Sequence, residues 1–457
     1  MRARIAVVGG GLAGIAAALE CGQAGADVTL LESRGRLGGA VYSFTRDGLR
    51  VDNGQHVFLR CCTAYIELLQ RIGAWDLVTL QPRLRIPVLA PGGRRAVLAR
   101  SDLPAPLHLA GSLLRYRHLG LSERLSVARA MRALDGVDRD DPVSDARSFG
   151  AWLADHGQSP RAREAMWELI VRPTLNLRAR DASLAQAAQV FQDGLTRSAA
   201  AADVGYARGP LSEIHDVAAR RALDAAGVDV RLRAGVTALA RSGHAYRLQT
   251  AAGPLEADAV IVAVPPRRAA ALLPDAAGVR SDRLSALGRS PIVNLHVIYD
   301  RRVLFEPFAA TVDSPLQWIF DRTASSGLGS GQYLAVSLSA AEEELAMAPG
   351  ELQARYLPAL SALLDTEARV EAFFVTREHS ATFRARPGAR ALRPSVRTAL
   401  PGLFLAGAWT DTGWPATMEG AVRSGHAAAH AALGGAAPAA AAPAAASPAL
   451  AGIGGAP

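Results

Sequence analysis

The chain has 457 residues, half of them apolar, and a formal charge of +8 at neutral pH. That length admits two domains of ordinary size with a large core, and all 50 of its Lys+Arg residues are arginine, which excludes Schiff-base and P-loop lysine chemistry. The arginines are scattered, with no dense basic run interleaved with aromatics, so the charge does not predict a nucleic-acid partner.

The chain opens on a short apolar run, Ile5-Ala6-Val7-Val8, which predicts a strand. It passes into Gly9-Gly10-Gly11-Leu12-Ala13-Gly14 and an alanine-rich stretch through Ala24, which predicts a helix. A second apolar run, Val28 to Leu31, ends in Glu32. Strand, glycine turn, helix, strand and acid follow in the order a dinucleotide site needs. Gly9 permits the tight turn, Gly11 lets the backbone approach a pyrophosphate, and Gly14 lets the helix pack on the strand. A pyrophosphate would sit at the helix N-terminus, over Leu12 and Ala13, where free N–H groups and the dipole favour an anion. Glu32 follows at the roughly 20-residue spacing of an acid that binds ribose hydroxyls, which disfavours a 2′-phosphate.

Arg2 and Arg4 precede this apolar stretch, but the strand and glycine turn explain it better than a signal peptide. No run of about 18 charge-free apolar residues suits a membrane span. Cys21, Cys61 and Cys62 include no CxxC pair, so neither a disulfide framework nor a metal site is expected, and a reducing, cytoplasmic compartment fits. Cys21 reads as a small core residue of the first helix. Cys61 and Cys62 read as packing, because adjacent cysteines bridge only with strain.

After Glu32 come Arg36, Gly38 and Gly39. This E-x3-R-x-G-G pattern resembles the FAD-dependent amine oxidase and carotenoid desaturase superfamily. The resemblance implies FAD as cofactor, with Arg36, Gly38 and Gly39 along the pyrophosphate and flavin. Many members carry arginine after the paired glycines, where this chain has Ala40.

Val51 to Val57 reads as a strand leaving a turn, followed by a helix from about Thr63 to Ile72. Residues 104–134 place leucines among Arg115, Arg117, Arg124, Arg129 and Arg132, which predicts an amphipathic helix with a basic face. It reads either as an ordinary surface helix of a substrate domain or as a membrane-surface element. Val228 to Leu232 alternates like a strand, and Gly235 to Leu239 follows. In the superfamily a valine at the position of Val236 meets the adenine through its backbone. Ala259 to Val264 reads as a buried strand closed by Pro265-Pro266. Asn294 to Tyr299 and Tyr333 to Leu338 predict strands of the substrate domain.

Leu403 to Leu405 predicts a last buried strand, leading to Gly407 and Asp411, with a helix from about Met418 through Gly420 and Ala421. The superfamily closes with this arrangement, which implies Asp411 at the ribityl chain and the helix N-terminus at the flavin pyrimidine edge. Such a terminus stabilises the charge of a reduced flavin. The Ala/Pro/Gly-rich stretch 434–457 predicts a disordered tail.

The fold class is therefore α/β: a discontinuous Rossmann-like, amine-oxidase-like FAD-binding domain (1–75, 205–266, 387–433) with an interleaved α+β substrate domain (76–204, 267–386). Asp52-Asn53-Gly54-Gln55-His56-Val57 and the run from Thr410 to Gly425 resemble the squalene-associated branch, the hydroxysqualene dehydroxylase family in particular. That resemblance implies an isoprenoid lipid substrate, Gly54 and Gln55 beside the flavin, and reductive replacement of an allylic hydroxyl by hydride. Upstream squalene-synthase-like enzymes are expected partners, and the C30 hydrocarbon product together with the basic segment near Arg115 leads us to expect peripheral contact at the inner face of the cytoplasmic membrane.

Loss of water needs a general acid, and His56 is the first candidate. An equal alternative has His56 position the isoalloxazine ring. Asp52 and Glu419 read as loop and capping residues, and Trp318, Phe320, Phe373 and Phe374 as either aromatic lining or core. A carotenoid desaturase would share every motif, and a non-catalytic prenyl-binding protein would share the fold. An amine oxidase that relies on a lysine-held water beside the flavin does not fit a chain without lysine.

Overall fold

The computed structural model describes residues 2–434, so most of the predicted tail lies outside the described residues. Strands β1 (Arg4–Val8), β2 (Asp27–Leu31), β3 (Asp229–Arg231), β4 (Ala259–Val262) and β5 (Leu403–Leu405) form one parallel sheet. Their order is β3-β2-β1-β4-β5. Helix α1 (Leu12–Gln23) links β1 to β2, and α2 (Met418–Ala432) follows β5. All of β4 and β5 is buried, as is β1 after Arg4. A parallel sheet covered on both faces needs unbroken apolar strands, and these sequences supply them.

The two helices meet backbone to backbone. A Cβ placed on Gly425 would lie 2.3 Å from the Ala13 carbonyl oxygen and 2.9 Å from Ala16 Cβ. A Cβ on Gly14 would lie 1.8 Å from the Gly9 carbonyl oxygen. The first and last segments of the fold are thus joined through small residues on one side of the sheet.

A second sheet has seven strands, in the spatial order Val370–Thr382, Ser290–Tyr299, Gln332–Ser339, Trp318–Asp321, Phe308–Thr311, Arg85–Ala90, Arg94–Ala99. All neighbours are antiparallel except Phe308–Thr311 beside Arg85–Ala90. Residues 107–196 add a helical cluster around Phe149, Trp152, Trp167 and Phe191. The link at residue 53 is tied to the second sheet: Asn294 Nδ2 donates to the Asn53 carbonyl at 3.2 Å, and Thr376 Oγ1 to the same oxygen at 3.3 Å.

Three expectations are corrected. Val51 to Val57 is not one strand; Leu49–Asp52 and Val57–Leu59 belong to different sheets, joined by an irregular link. Asn53 causes the break by spending its side chain on the backbone of Ala40 and Tyr42. Residues 104–134 are not one helix but a turn (Leu107–Leu109) and two helices (Ala110–Leu114 and Leu121–Asp135). Between the helices, Tyr116 and His118 turn inward to hydrogen-bond the carbonyls of Ala165 and Val88. The strand predicted to Val264 stops at Val262, because Pro266 opens a new helix, Pro266–Leu272. Among the described residues, no helix is long and apolar enough to cross a membrane.

Gly425→Val should lower the thermal midpoint sharply, because its Cβ meets backbone that has nowhere to move. Gly350→Ala, at a position with open space around it, should leave the midpoint nearly unchanged. Equal melting curves for the two variants would contradict the helix contact.

Candidate functional site

The glycine turn after β1 is built around Glu32. One carboxylate oxygen accepts from the Gly10 N–H at 2.7 Å, and the other from the Arg34 N–H at 2.7 Å and the Ser33 hydroxyl at 3.1 Å. Gly9 has φ of +112°, and a Cβ there would strike the Ala263 carbonyl at 2.5 Å. The segment 36–39 folds over this turn. The Gly38 N–H donates to the Gly10 carbonyl at 2.9 Å, and Arg36 donates to the carbonyls of Leu37 and Gly39 while lying over the Tyr42 ring. Gly39 has φ of +57°, and a Cβ there would sit 2.8 Å from Gly11 Cα.

Gly11 is different. It has an ordinary φ of −76°, and its nearest neighbour to an added Cβ is Gly39 Cα at 3.8 Å. No protein packing demands glycine at that position. The open space lies over the N-terminus of α1, where a pyrophosphate is electrostatically favoured.

On the other flank, Gly407 has φ of +135° and donates its N–H to Ser424 Oγ at 2.7 Å. Thr417 caps α2 by accepting from the Gly420 N–H at 3.2 Å, which leaves Met418 in the first turn and Ala421 just beyond. Gly420 is required by packing, since a Cβ would lie 2.6 Å from the Pro415 carbonyl. Asp411 is exposed, with Arg390 Nε at 3.9 Å. Val236 is buried, and its carbonyl accepts from Arg268 at 2.6 Å.

A cavity of about 250 Å³ lies between the seven-stranded sheet and a small three-stranded sheet of Val57–Leu59, Val204–Ala207 and Val78–Leu80. Its polar end holds Asp52, Gln55, His56 and Arg322; its apolar wall includes Tyr206 and Phe320. Arg322 pairs with Asp52 at 2.6 Å and also donates to the carbonyls of Ala207 and Gly209. Asp52 further accepts from Ser43 Oγ at 2.6 Å and the Leu211 N–H at 3.1 Å, so each partner of the buried pair carries further hydrogen bonds. Gln55 Nε2 and Asn294 Oδ1 are buried with no partner among the described residues. A Cβ added to Gly54 would face His56 Nε2 at 3.5 Å and Asn294 Nδ2 at 3.6 Å.

Burial pushes the His56 imidazolium down to about 4; Asp52 opposes the shift and Arg322 reinforces it. The ring is therefore neutral near pH 7. His215, bonded to the Tyr65 hydroxyl at 2.8 Å, is pushed to about 3 by burial and by His56. His296, stacked on Phe374 and hydrogen-bonded to Tyr333 and Thr376, is likewise pushed to about 3 by burial.

The structure brings residues 9–14, 32–39 and 407–421 to the C-terminal ends of strands β1, β2 and β5, and Asp52, Gln55, His56 and Val57 to the cavity wall. Of the four aromatic candidates only Phe320 lines the cavity. Trp318 stacks behind it, and strand alternation turns Phe374 onto His296 and Phe373 into the opposite core. Glu419 is buried, accepting from the N–H groups of Ala64 and Tyr65 at the start of helix Thr63–Arg71. Arg322, Asn294 and His215 were not singled out from sequence. The acid at 52 called for a cation, but its partner lies 270 positions away with no local pattern to mark it.

The residues present fit a dinucleotide with a ring at its far end: an uncovered Gly11, a capped α2 N-terminus, and orphaned polar atoms at Gln55 and Asn294. This is the architecture of a dinucleotide-dependent oxidoreductase. The flavin containing amine oxidoreductase family matches residues 12–433, and the chain belongs to that family. It is an FAD-dependent oxidoreductase. Hydroxysqualene dehydroxylase of Rhodopseudomonas palustris is 28% identical to it over 442 residues, covering 93% of this chain and 97% of the relative. A probable zeta-carotene desaturase of Synechococcus elongatus is 26% identical, covering 92% and 96%. Cyclohexylamine oxidase from Brevibacterium oxydans shares the fold with a TM-score of 0.68 at 20% identity, covering 95% of this chain and 99% of that one.

Gly11→Ala should leave the stability of the cofactor-free chain within about 1 kcal/mol, because the added methyl meets open space. It should weaken FAD retention at least about tenfold, read as flavin absorbance per chain after gel filtration. Undiminished flavin content would contradict close approach of the cofactor at Gly11.

The buried histidines also set an acid limit. His215 and His296 titrate near 3 when folded but near 6.5 when unfolded, so only the unfolded chain takes up protons in between. Their stabilisation is complete above pH 6.5 and should fall by about 1.4 kcal/mol per unit for each residue as pH drops toward 4. Thermal melts should show the midpoint falling across that window; a flat midpoint would contradict neutral burial.

Proposed function

We propose that this enzyme replaces the hydroxyl of hydroxysqualene with hydride, giving squalene and water and leaving FAD oxidised. The observation that carries the reading is a cavity with a hydrogen-bonding end and an aromatic wall, in a chain similar along almost its full length to hydroxysqualene dehydroxylases. A desaturase substrate is a pure hydrocarbon, and would leave the polar end of such a cavity without a partner. An allylic alcohol gives His56 and Gln55 a group to bind. At about 250 Å³ the cavity is smaller than the roughly 300–1,000 Å³ usual for ligand pockets, so it suits the hydroxyl-bearing segment while the rest of the C30 chain extends beyond it.

In this reading Gly9, Gly11, Leu12, Ala13 and Gly14 hold the pyrophosphate, and Glu32 the adenosine ribose. Arg36, Gly38 and Gly39 close the loop above them, and the Val236 backbone borders the adenine. Gly54, Gln55, Gly407, Asp411, Met418, Gly420 and Ala421 border the flavin. Bound reduced FAD supplies the hydride.

The chain's own groups do the rest. His56 gives the leaving oxygen its proton. Populating its imidazolium at pH 7 costs about 4 kcal/mol, but that form is then a strong acid. The Phe320 and Tyr206 faces border the allylic cation, and burial of the Arg322–Asp52 pair keeps the polar end fixed.

Two measurements test this. Dithionite-reduced enzyme with hydroxysqualene should give squalene, and oxidised enzyme supplied with an electron acceptor should give no product from phytoene; the reverse pair of outcomes would make it a desaturase. The wild-type kcat should rise about tenfold per unit as pH falls from about 7 to about 5, following the imidazolium fraction. His56→Gln should keep its FAD and lose that slope, and a slope retained in the variant would remove His56 as the acid.

A further inference from the structure

Eleven large apolar side chains are exposed among the described residues, and five of them are leucines within one short stretch. Leu103, Leu107, Leu114, Leu121 and Leu125 are each 52–71% exposed. Scattered single leucines on a surface need no explanation, whereas a concentration of this kind marks an interaction surface. The stretch is firmly built. Ser112 Oγ accepts from the Ala99 N–H and donates to the Val97 carbonyl, fixing helix Ala110–Leu114 to the edge strand Arg94–Ala99. Arg124 donates to the carbonyls of Leu114 and Leu119, fixing helix Leu121–Asp135 to its predecessor.

Charge accompanies the leucines. Residues 103–134 hold five arginines and a single acid, Glu123, which is engaged by the Gly120 N–H and the Ser159 hydroxyl. Arg115, Arg117, Arg129 and Arg132 are exposed, and none pairs with a carboxylate among the described residues. On helix Leu121–Asp135 the outward positions 121, 125, 129 and 132 carry two leucines and then two arginines, opposite the buried Val127, Ala130 and Leu134.

The stretch also adjoins a cluster that reaches the cavity. Leu109, from the same stretch, packs on the cluster of Leu84, Phe308 and Phe320, and Phe320 lines the cavity. Phe305, which is largely exposed, lies two residues before Pro307, another lining residue.

We propose that residues 103–132 form a docking surface for an anionic lipid bilayer. The leucines enter the acyl boundary and the arginines meet the headgroups. Resting on the isoprenoid reading above, the contact lets an apolar substrate pass between bilayer and cavity without crossing water. A second copy of the chain is a poorer occupant, because a two-fold contact would bring the same unpaired arginines together.

The test is flotation of the FAD-loaded enzyme with vesicles of phosphatidylcholine alone or mixed with phosphatidylglycerol. The wild type should float with the anionic vesicles, less so at high salt, and Leu121→Asn/Leu125→Asn should reduce the bound fraction at least about tenfold. That double variant should keep its FAD and its activity on detergent-dispersed substrate, since neither residue lines the cavity. Wild-type protein that ignores anionic vesicles, floats equally with neutral ones, or binds as well after the double substitution overturns the proposal. So does a double variant whose change is from dimer to monomer. Flotation contains no substrate, so failure of the dehydroxylation reading leaves this outcome unaffected.

Discussion

Two glycine backbones, at Gly11 and Gly39, touch with no side chain between them. The rest of the site depends on that contact. It lets segment 36–39 fold over the start of α1, and it leaves the helix N-terminus facing open space rather than protein. A side chain at 39 would strike the backbone of Gly11, whereas a side chain at 11 would strike little. The asymmetry separates a glycine that packing requires from one that it does not. Glu32 makes the arrangement rigid, because both carboxylate oxygens are committed to the turn and to the segment after β2.

The second constraint is the handling of charge around the cavity. Arg208 and Asp321 line it, but its other charged pair is mutually neutralised and the histidines in and behind its wall are uncharged. Arg322 and Asp52 neutralise each other, and each is held by further hydrogen bonds. His56, His215 and His296 are held neutral by burial. Such an environment strengthens each remaining electrostatic interaction. It also explains why a strand link, rather than a regular strand, carries His56. The break at Asn53 tips the chain out of one sheet and into another, and the imidazole comes to rest at the cavity wall.

Much of this was legible in the sequence. Buried parallel strands read as unbroken apolar runs, so β1, β2, β4 and β5 stand out, and the glycine pattern marks the turn between them. Both helices that cross through Gly425 and Ala13 are rich in small residues. What stayed hidden depended on distance or on turns. Arg322 meets Asp52 across 270 residues with nothing local to announce it. The break at 115–120 comes from Tyr116 and His118 turning inward, while the leucine spacing on either side still suggested one helix. Phe320 could be distinguished from Phe373 and Phe374 only once strand register was known.

The central claim is that segments 9–14, 36–39 and 407–421 grip one FAD together. Hydrogen–deuterium exchange on the chain stripped of flavin and then reloaded tests it most directly. Reloading should slow exchange in all three segments at once, with the 52–57 link slowed alongside them. Protection confined to residues 9–14, with 407–421 exchanging as before, would mean that the C-terminal motif takes no part in holding the cofactor and would contradict the account.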